Sequence, residues 1–306
     1  MHGRSTRAKA QRRKESRKDK ARGSVFLCAF APLREKIPSM TDLAYYVYCI
    51  AESAAASELP PDSLPAAIEE NAQLQWVSVN TLAALASQVP RATYSEENLA
   101  GQLTDATWTA IRAMRHETVV EYVAKRATVI PLRFGTIYLE RNGVEQMLTT
   151  QSRELESIIE QLRGREEWGV NVFVDRAVLL TSITSVGPVL RDLVHRAEQA
   201  PPGQSYLMQK KIEALKVDEA RAAVNRIVDQ IEQTLKQQSD DARRLRILKV
   251  ETTAHGELKA KFAFLVKRAS FEEFRDAAEG LAKEHQAAGV RLELTGPWPV
   301  YNFCTG

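Results

Sequence analysis

His116 and Glu117 open the string HETVVE. A His-Glu pair on a helix is half of a zinc hydrolase site, in which two imidazoles one turn apart hold the metal and the glutamate serves as general base. The second imidazole would have to stand at position 120, which is Val. The other histidines, His2, His195, His255 and His285, fall one to a segment, so no metal-ligand set can be drawn. His116 is then expected as a partly exposed polar residue of a helix. Paired carboxylates occur at 69–70, 96–97, 166–167 and 272–273. Adjacent helical residues point about 100° apart, so these read as solvated faces and not as acid–base pairs. Cys28, Cys49 and Cys304 are too far apart for a zinc pattern or a disulfide framework, and Cys49 reads as a small core residue. No glycine-rich phosphate loop and no Gly-x-Ser-x-Gly elbow is present. Catalytic, cofactor and metal residues are therefore expected to be absent.

The charge balance is uneven. Residues 1–22 carry ten Lys/Arg against Glu15 and Asp19, while the whole chain is only +3. The body is therefore net acidic, which disfavours phosphate contacts and nucleic-acid binding by the folded part. The strand KAKFAFLVKR resembles an RNA-reading strand but lacks its glycine spacing. The basic stretch allows three readings: a polyanion-binding arm, the start of a targeting signal, or a disordered extension over 1–40 with Met40 as the natural start. The apolar runs SVFLCAFAPL and LAYYVYCIA are too short to span a membrane.

The periodicities predict an α+β protein of two domains, 41–165 and 166–306. AYYVYCIA (44–51) is apolar at every position and reads as a strand covered on both faces. LQWVSVNTLAALASQVP offers one or two more strands, ended by Pro90. Ser95 starts a helix, and a second helix from about Thr104 carries Trp108, Ile111, Val119, Tyr122 and Val123 on its apolar side. VIPLRFGTIY is a strand and turn; one long helix then runs from Val144 to Leu162, stopped by Gly164.

In the second half, WGVNVFVDRAVLL reads as a strand and PPGQSY as a loop, followed by a long amphipathic helix from Met208 to Leu235. RRLRILKVETT and ELKAKFAFLVKR make two strands around a His255-Gly256 turn. Ser270 and Glu273 form a capping box for a helix ended by Gly289, and VRLELTGPWP is the last strand, with Leu292 and Leu294 inward. The order strand, helix, strand, strand, helix, strand is the split βαβ, or ferredoxin-like (βαββαβ), arrangement; the first half reads as a related α/β layer.

Three segments combine unusual residues without catalytic types: VIPLRFGTIY (129–138), REEWGVNVFVD (165–175) and LTGPWPVYNF (294–303). With RHETVVEYV they stand in the order in which they occur in the gas vesicle proteins F and L, and nearly the whole chain after the basic extension resembles that family. The extension itself and Cys304-Thr305-Gly306 depart from its pattern. The resemblance implies a cytoplasmic accessory or minor wall protein of the gas vesicle, without enzymatic activity or cofactor. Its implied partners are the hydrophobic shell protein and other gas vesicle accessory proteins. The motif residues implied as structural or partner-binding are Arg133, Phe134, Gly135, Trp168, Gly169, Gly296, Pro297, Trp298, Pro299, Tyr301 and Phe303. Arg133 is expected to pair with a carboxylate at the domain junction. Trp298, Tyr301 and Phe303 either plug a gap between the domains or touch the shell protein. A ligand- or peptide-sensing regulatory module on a ferredoxin-like fold is the alternative function.

Overall fold

A strand as apolar as 44–51 needs cover on both sides, and β1 (Leu43–Glu52) has it. Opposite β3, a bulge between Val47 and Cys49 inserts one residue and flips the side-chain parity. Tyr46 and Tyr48 before it therefore share a face with Cys49 and Ala51 after it, while Val47 and Ile50 point the other way. Next come α1 (Ser53–Glu58) and the hairpin β2 (Leu74–Val79) and β3 (Leu82–Pro90). Short helices α2 (Arg91–Tyr94) and α3 (Glu96–Gln102) lead to α4 (Ala106–Ala124). The Asp105 carboxylate caps α4 by accepting from the Thr107 and Trp108 amides. β4 (Val129–Pro131) and β5 (Ile137–Tyr138) both pair with β1, giving the antiparallel order β2-β3-β1-β4. α4 covers the tyrosine face through Val119, Val120 and Val123. The opposite face receives α5 (Arg141–Thr150) and α6 (Ser152–Leu162).

The computed structural model describes residues 42–186, 188–247, 252–253 and 256–304, all within one compact unit, Pro38–Gly306. The second sheet starts with β6 (Arg165–Val174) and continues through α7 (Arg176–Val186), α8 (Pro188–Gln199) and α9 (Pro202–Gln237). β7 (Asp241–Arg244), β8 (Thr252–Thr253) and β9 (Gly256–Lys267) follow, then α10 (Phe271–His285) and β10 (Val290–Trp298). The strand order is β10-β6-β9-β7, with every neighbouring pair antiparallel. Val170, Val172, Phe262, Phe264 and Val266 face the helices and pack with Val224, Ile231, Leu235 and Phe274. Ala263 and Leu265 face the other way. They join Val47, Ile50, Leu155, Ile159, Val300 and Phe303 in a third core that both sheets share.

Several local expectations need correction. The stripe from 144 to 162 runs over two helices, because Gln151 leaves helical geometry at φ −103 and ψ 11. WGVNVFVDRAVLL is a strand only to Val174; the Asp175 side chain then accepts from the Ala177 and Val178 amides and starts α7. PPGQSY is no loop, since Pro202 sits in the first turn of α9, where its missing N–H costs nothing. Helix α8 has no counterpart in the sequence reading. Ser270 makes no capping bond, because a 3-10 turn over Arg268–Ser270 carries the chain into α10. Ile111 is exposed on α4 and lies off its apolar stripe. His2, His255, Cys28 and the basic stretch lie outside the described residues.

Candidate functional site

Three of the four quoted family strings meet at His116. The imidazole is fully buried, against the expectation of a partly exposed residue. It stands one turn before Val119 and Val120, on the face that α4 turns to the sheet. Its Nε2 lies 3.1 Å from the Leu132 carbonyl, which can only accept, so Nε2 carries the proton. Nδ1 is then an acceptor, and the Tyr46 hydroxyl donates to it at 2.9 Å. The Tyr46 oxygen in turn accepts from the Gly135 amide at 3.1 Å. Nε2 also reaches the Tyr301 hydroxyl oxygen at 3.2 Å, and that hydroxyl donates to Glu117 at 2.9 Å. Tyr48 stacks on the imidazole at 5.7 Å, and Phe134 meets it edge-on at 5.9 Å.

The neutral form satisfies both ring nitrogens and the Tyr46 hydroxyl together. Burial pushes the His116 pKa down to about 4, with the Leu132 carbonyl pulling partly the other way. Burial pushes the Tyr46 and Tyr301 hydroxyls up, and it raises the Glu117 carboxyl despite the Tyr301 bond. Cys49 is a buried thiol pushed up to about 12 by desolvation, as a core residue should be.

The second anchor is Glu167, which the solvated-face reading of the EE pairs missed. It is buried on β6, and its carboxylate accepts from both the backbone amide and the side-chain amide of Asn302. Burial raises its pKa, and the Asn302 bonds oppose that. Glu69 also leaves the solvated-face reading: it accepts from Arg112 and from the Tyr94 hydroxyl at 2.6 Å. Phe303, only 8% exposed, completes the terminal anchor in the shared core.

The other motif residues are placed as follows. Gly135 takes φ +86 in its turn, as the bond to Tyr46 requires. Arg133 is exposed and makes no ion pair among the described residues, so its expected junction pairing fails; its carbonyl closes a turn by accepting from Thr136. Trp168 stacks on Phe271 at 4.0 Å. A Cβ at Gly169 would stand 2.6 Å from Thr295 Oγ1, so a side chain there would displace the Thr295 hydroxyl. Gly296 sits at φ +128 against the Glu167 carbonyl. Pro297 and Pro299 line a surface cleft, and Trp298 is 52% exposed beside it. Thus Phe134, Gly135 and Tyr301 gather around His116, Gly169 and Gly296 bring β6 and β10 together, and Arg133 stands apart.

Sequence reasoning missed Tyr46, Glu167 and Asn302, and it weighed His116 and Glu117 as a metal site without finding their hydrogen bonds. Two tyrosines in a strand buried on both faces were a usable signal, because buried hydroxyls need partners. Among the described residues no cluster of His, Cys, Asp and Glu could hold a metal ion, and no helix is long and apolar enough to cross a membrane.

The model of the family described as gas vesicle synthesis protein GvpL/GvpF matches residues 44–305. The chain belongs to this family. Its role is accordingly a gas vesicle role. Among curated GvpL/GvpF relatives, gas vesicle protein L of Streptomyces sp. (strain CB03234) is 27% identical over 72% of this chain and 79% of its own length. Gas vesicle protein F of the same strain is 25% identical over 85% of this chain and 99% of its own length. The crystal structure of GvpF from Anabaena sp. PCC7120 shares the fold with a TM-score of 0.60 at 18% identity, covering 86% of this chain and 98% of that one.

Proposed function

We propose that this GvpL/GvpF family member binds the hydrophobic shell protein of the gas vesicle and supports nucleation and assembly of the wall, working in the cytoplasm and at the vesicle. The observation that carries the reading is the family match across 44–305. A shell subunit with a gas-facing apolar surface aggregates before assembly unless a soluble partner masks it. Such masking needs surfaces and no reactive groups, and the His116 imidazole has both nitrogens committed inside the protein. Exposed Met114, Leu139, Tyr206, Leu207 and Trp298 give the body apolar contact points. The residues from 166 onward are proposed as a ferredoxin-like domain, because β10-β6-β9-β7 is the fourth-first-third-second order of a split βαβ unit. The preceding part, 41–165, would form the other domain. Co-purification of shell protein with the tagged full chain, together with vesicle loss in a deletion strain, is the expected result. No co-purification, with vesicles still forming in the deletion strain, contradicts the proposal.

A further inference from the structure

Among the described residues the large exposed apolar side chains are Leu103, Ile111 and Met114, Leu139, Val178, Tyr206, Leu207 and Val217, and Trp298. Of these only Trp298 flanks the junction cleft, a concavity of about 170 Å³ bounded by Ala124 at the end of α4, Ala127 beyond it, Leu162, and Pro297 to Pro299. A cavity of roughly 150 Å³ holds one benzene-sized group, so this cleft has room for one large side chain and not for a helix.

The charges on the rim are already paired. Lys125 pairs with Glu121 at 2.6 Å and Arg268 with Glu166 at 2.9 Å, and Arg165 pairs with Asp240. A charged group seated here would shed water and find every counter-charge taken. A rim whose charges are already paired therefore matches an uncharged occupant. The indole N–H is engaged as well, donating to Thr295 Oγ1 at 3.1 Å, so the ring face is what Trp298 has left to offer. Prolines on both sides restrict the free chain and lower the cost of holding that face in place.

We infer that this cleft grips the shell subunit, taking one Leu-, Ile- or Phe-sized side chain from an uncharged segment and seating it against the Trp298 ring. The inference rests on the reading above that the shell protein is the partner. Its test is retention of purified shell protein on the immobilised full chain, compared among wild type, Trp298→Ala, Trp298→Phe and Ala124→Trp. Trp298→Ala should lower retention about tenfold or more, as truncation of a central aromatic anchor does. Trp298→Phe should keep most of it, and Ala124→Trp, which fills the cleft and leaves the indole, should lower it as Trp298→Ala does. Retention by wild type that is unchanged in both Trp298→Ala and Ala124→Trp overturns the inference and leaves the shell-binding proposal standing. No retention by wild type overturns that proposal and the inference with it. A dimer that Trp298→Ala turns into a monomer, with shell retention unchanged, assigns the cleft to a second copy of this chain and also overturns the inference.

Discussion

The last ten motif residues divide into two regions with opposite environments. At one end, Tyr301, Asn302 and Phe303 are tied to α4, to β6 and to the shared core. At the other, Pro297, Trp298 and Pro299 line an open cleft, and the indole is half exposed. Closure of the fold and contact with a partner looked like rival uses for one stretch of sequence. On the proposal above a single segment serves both, because anchoring three residues firmly holds the neighbouring three in place on the surface.

The harshest way to break the comparison is to delete the anchored end. A chain ending at Pro299 loses Phe303 from the shared core as well as the Tyr301 and Asn302 bonds. Removing one buried Phe side chain alone costs about 3–5 kcal/mol, so the truncated chain should lose at least about 4 kcal/mol by denaturant unfolding. Acid is the next probe. The folded pKa of His116 is depressed to about 4, so the unfolded chain binds that proton first. Stability should fall as pH drops from about 6.5 towards 4, by roughly 3 kcal/mol from this group alone. The raised carboxyls of Glu117 and Glu167 act with the opposite sign, since their contribution is lost as pH rises through their folded pKa values. The His116 part is therefore read as the difference between wild type and His116→Asn, whose profile should be flatter over that window. Glu167→Ala strands the part-buried amides of Asn302 and should cost about 1–3 kcal/mol at neutral pH.

Strands were legible where composition left one option: β1 could only be a two-sided strand, and its cysteine could only be core. Caps explain several misses. Asp175 and Pro202 are both helix starts, but one was absorbed into an apolar run and the other into a Pro-Gly turn signal. The burial of His116 was in principle readable, because it lies three, four and seven residues before Val119, Val120 and Val123, on their face of α4. What no spacing could supply is the long-range pairing. Tyr301 meets a residue 185 positions earlier, and Glu167 meets Asn302 across 135. Such contacts follow from strand order, which local periodicity does not encode. Arg133 shows the reverse error: a charged residue inside an apolar motif was expected to be paired, and it faces solvent.

The split itself is tested most directly by equilibrium unfolding of Phe303→Ala and Trp298→Ala under one set of conditions. Phe303→Ala should lose about 3–5 kcal/mol. Trp298→Ala should stay within about 0.5 kcal/mol of wild type, as exposed substitutions do. A Trp298→Ala protein as destabilised as Phe303→Ala would contradict the account, because the indole would then be part of the closure and not free to meet a partner.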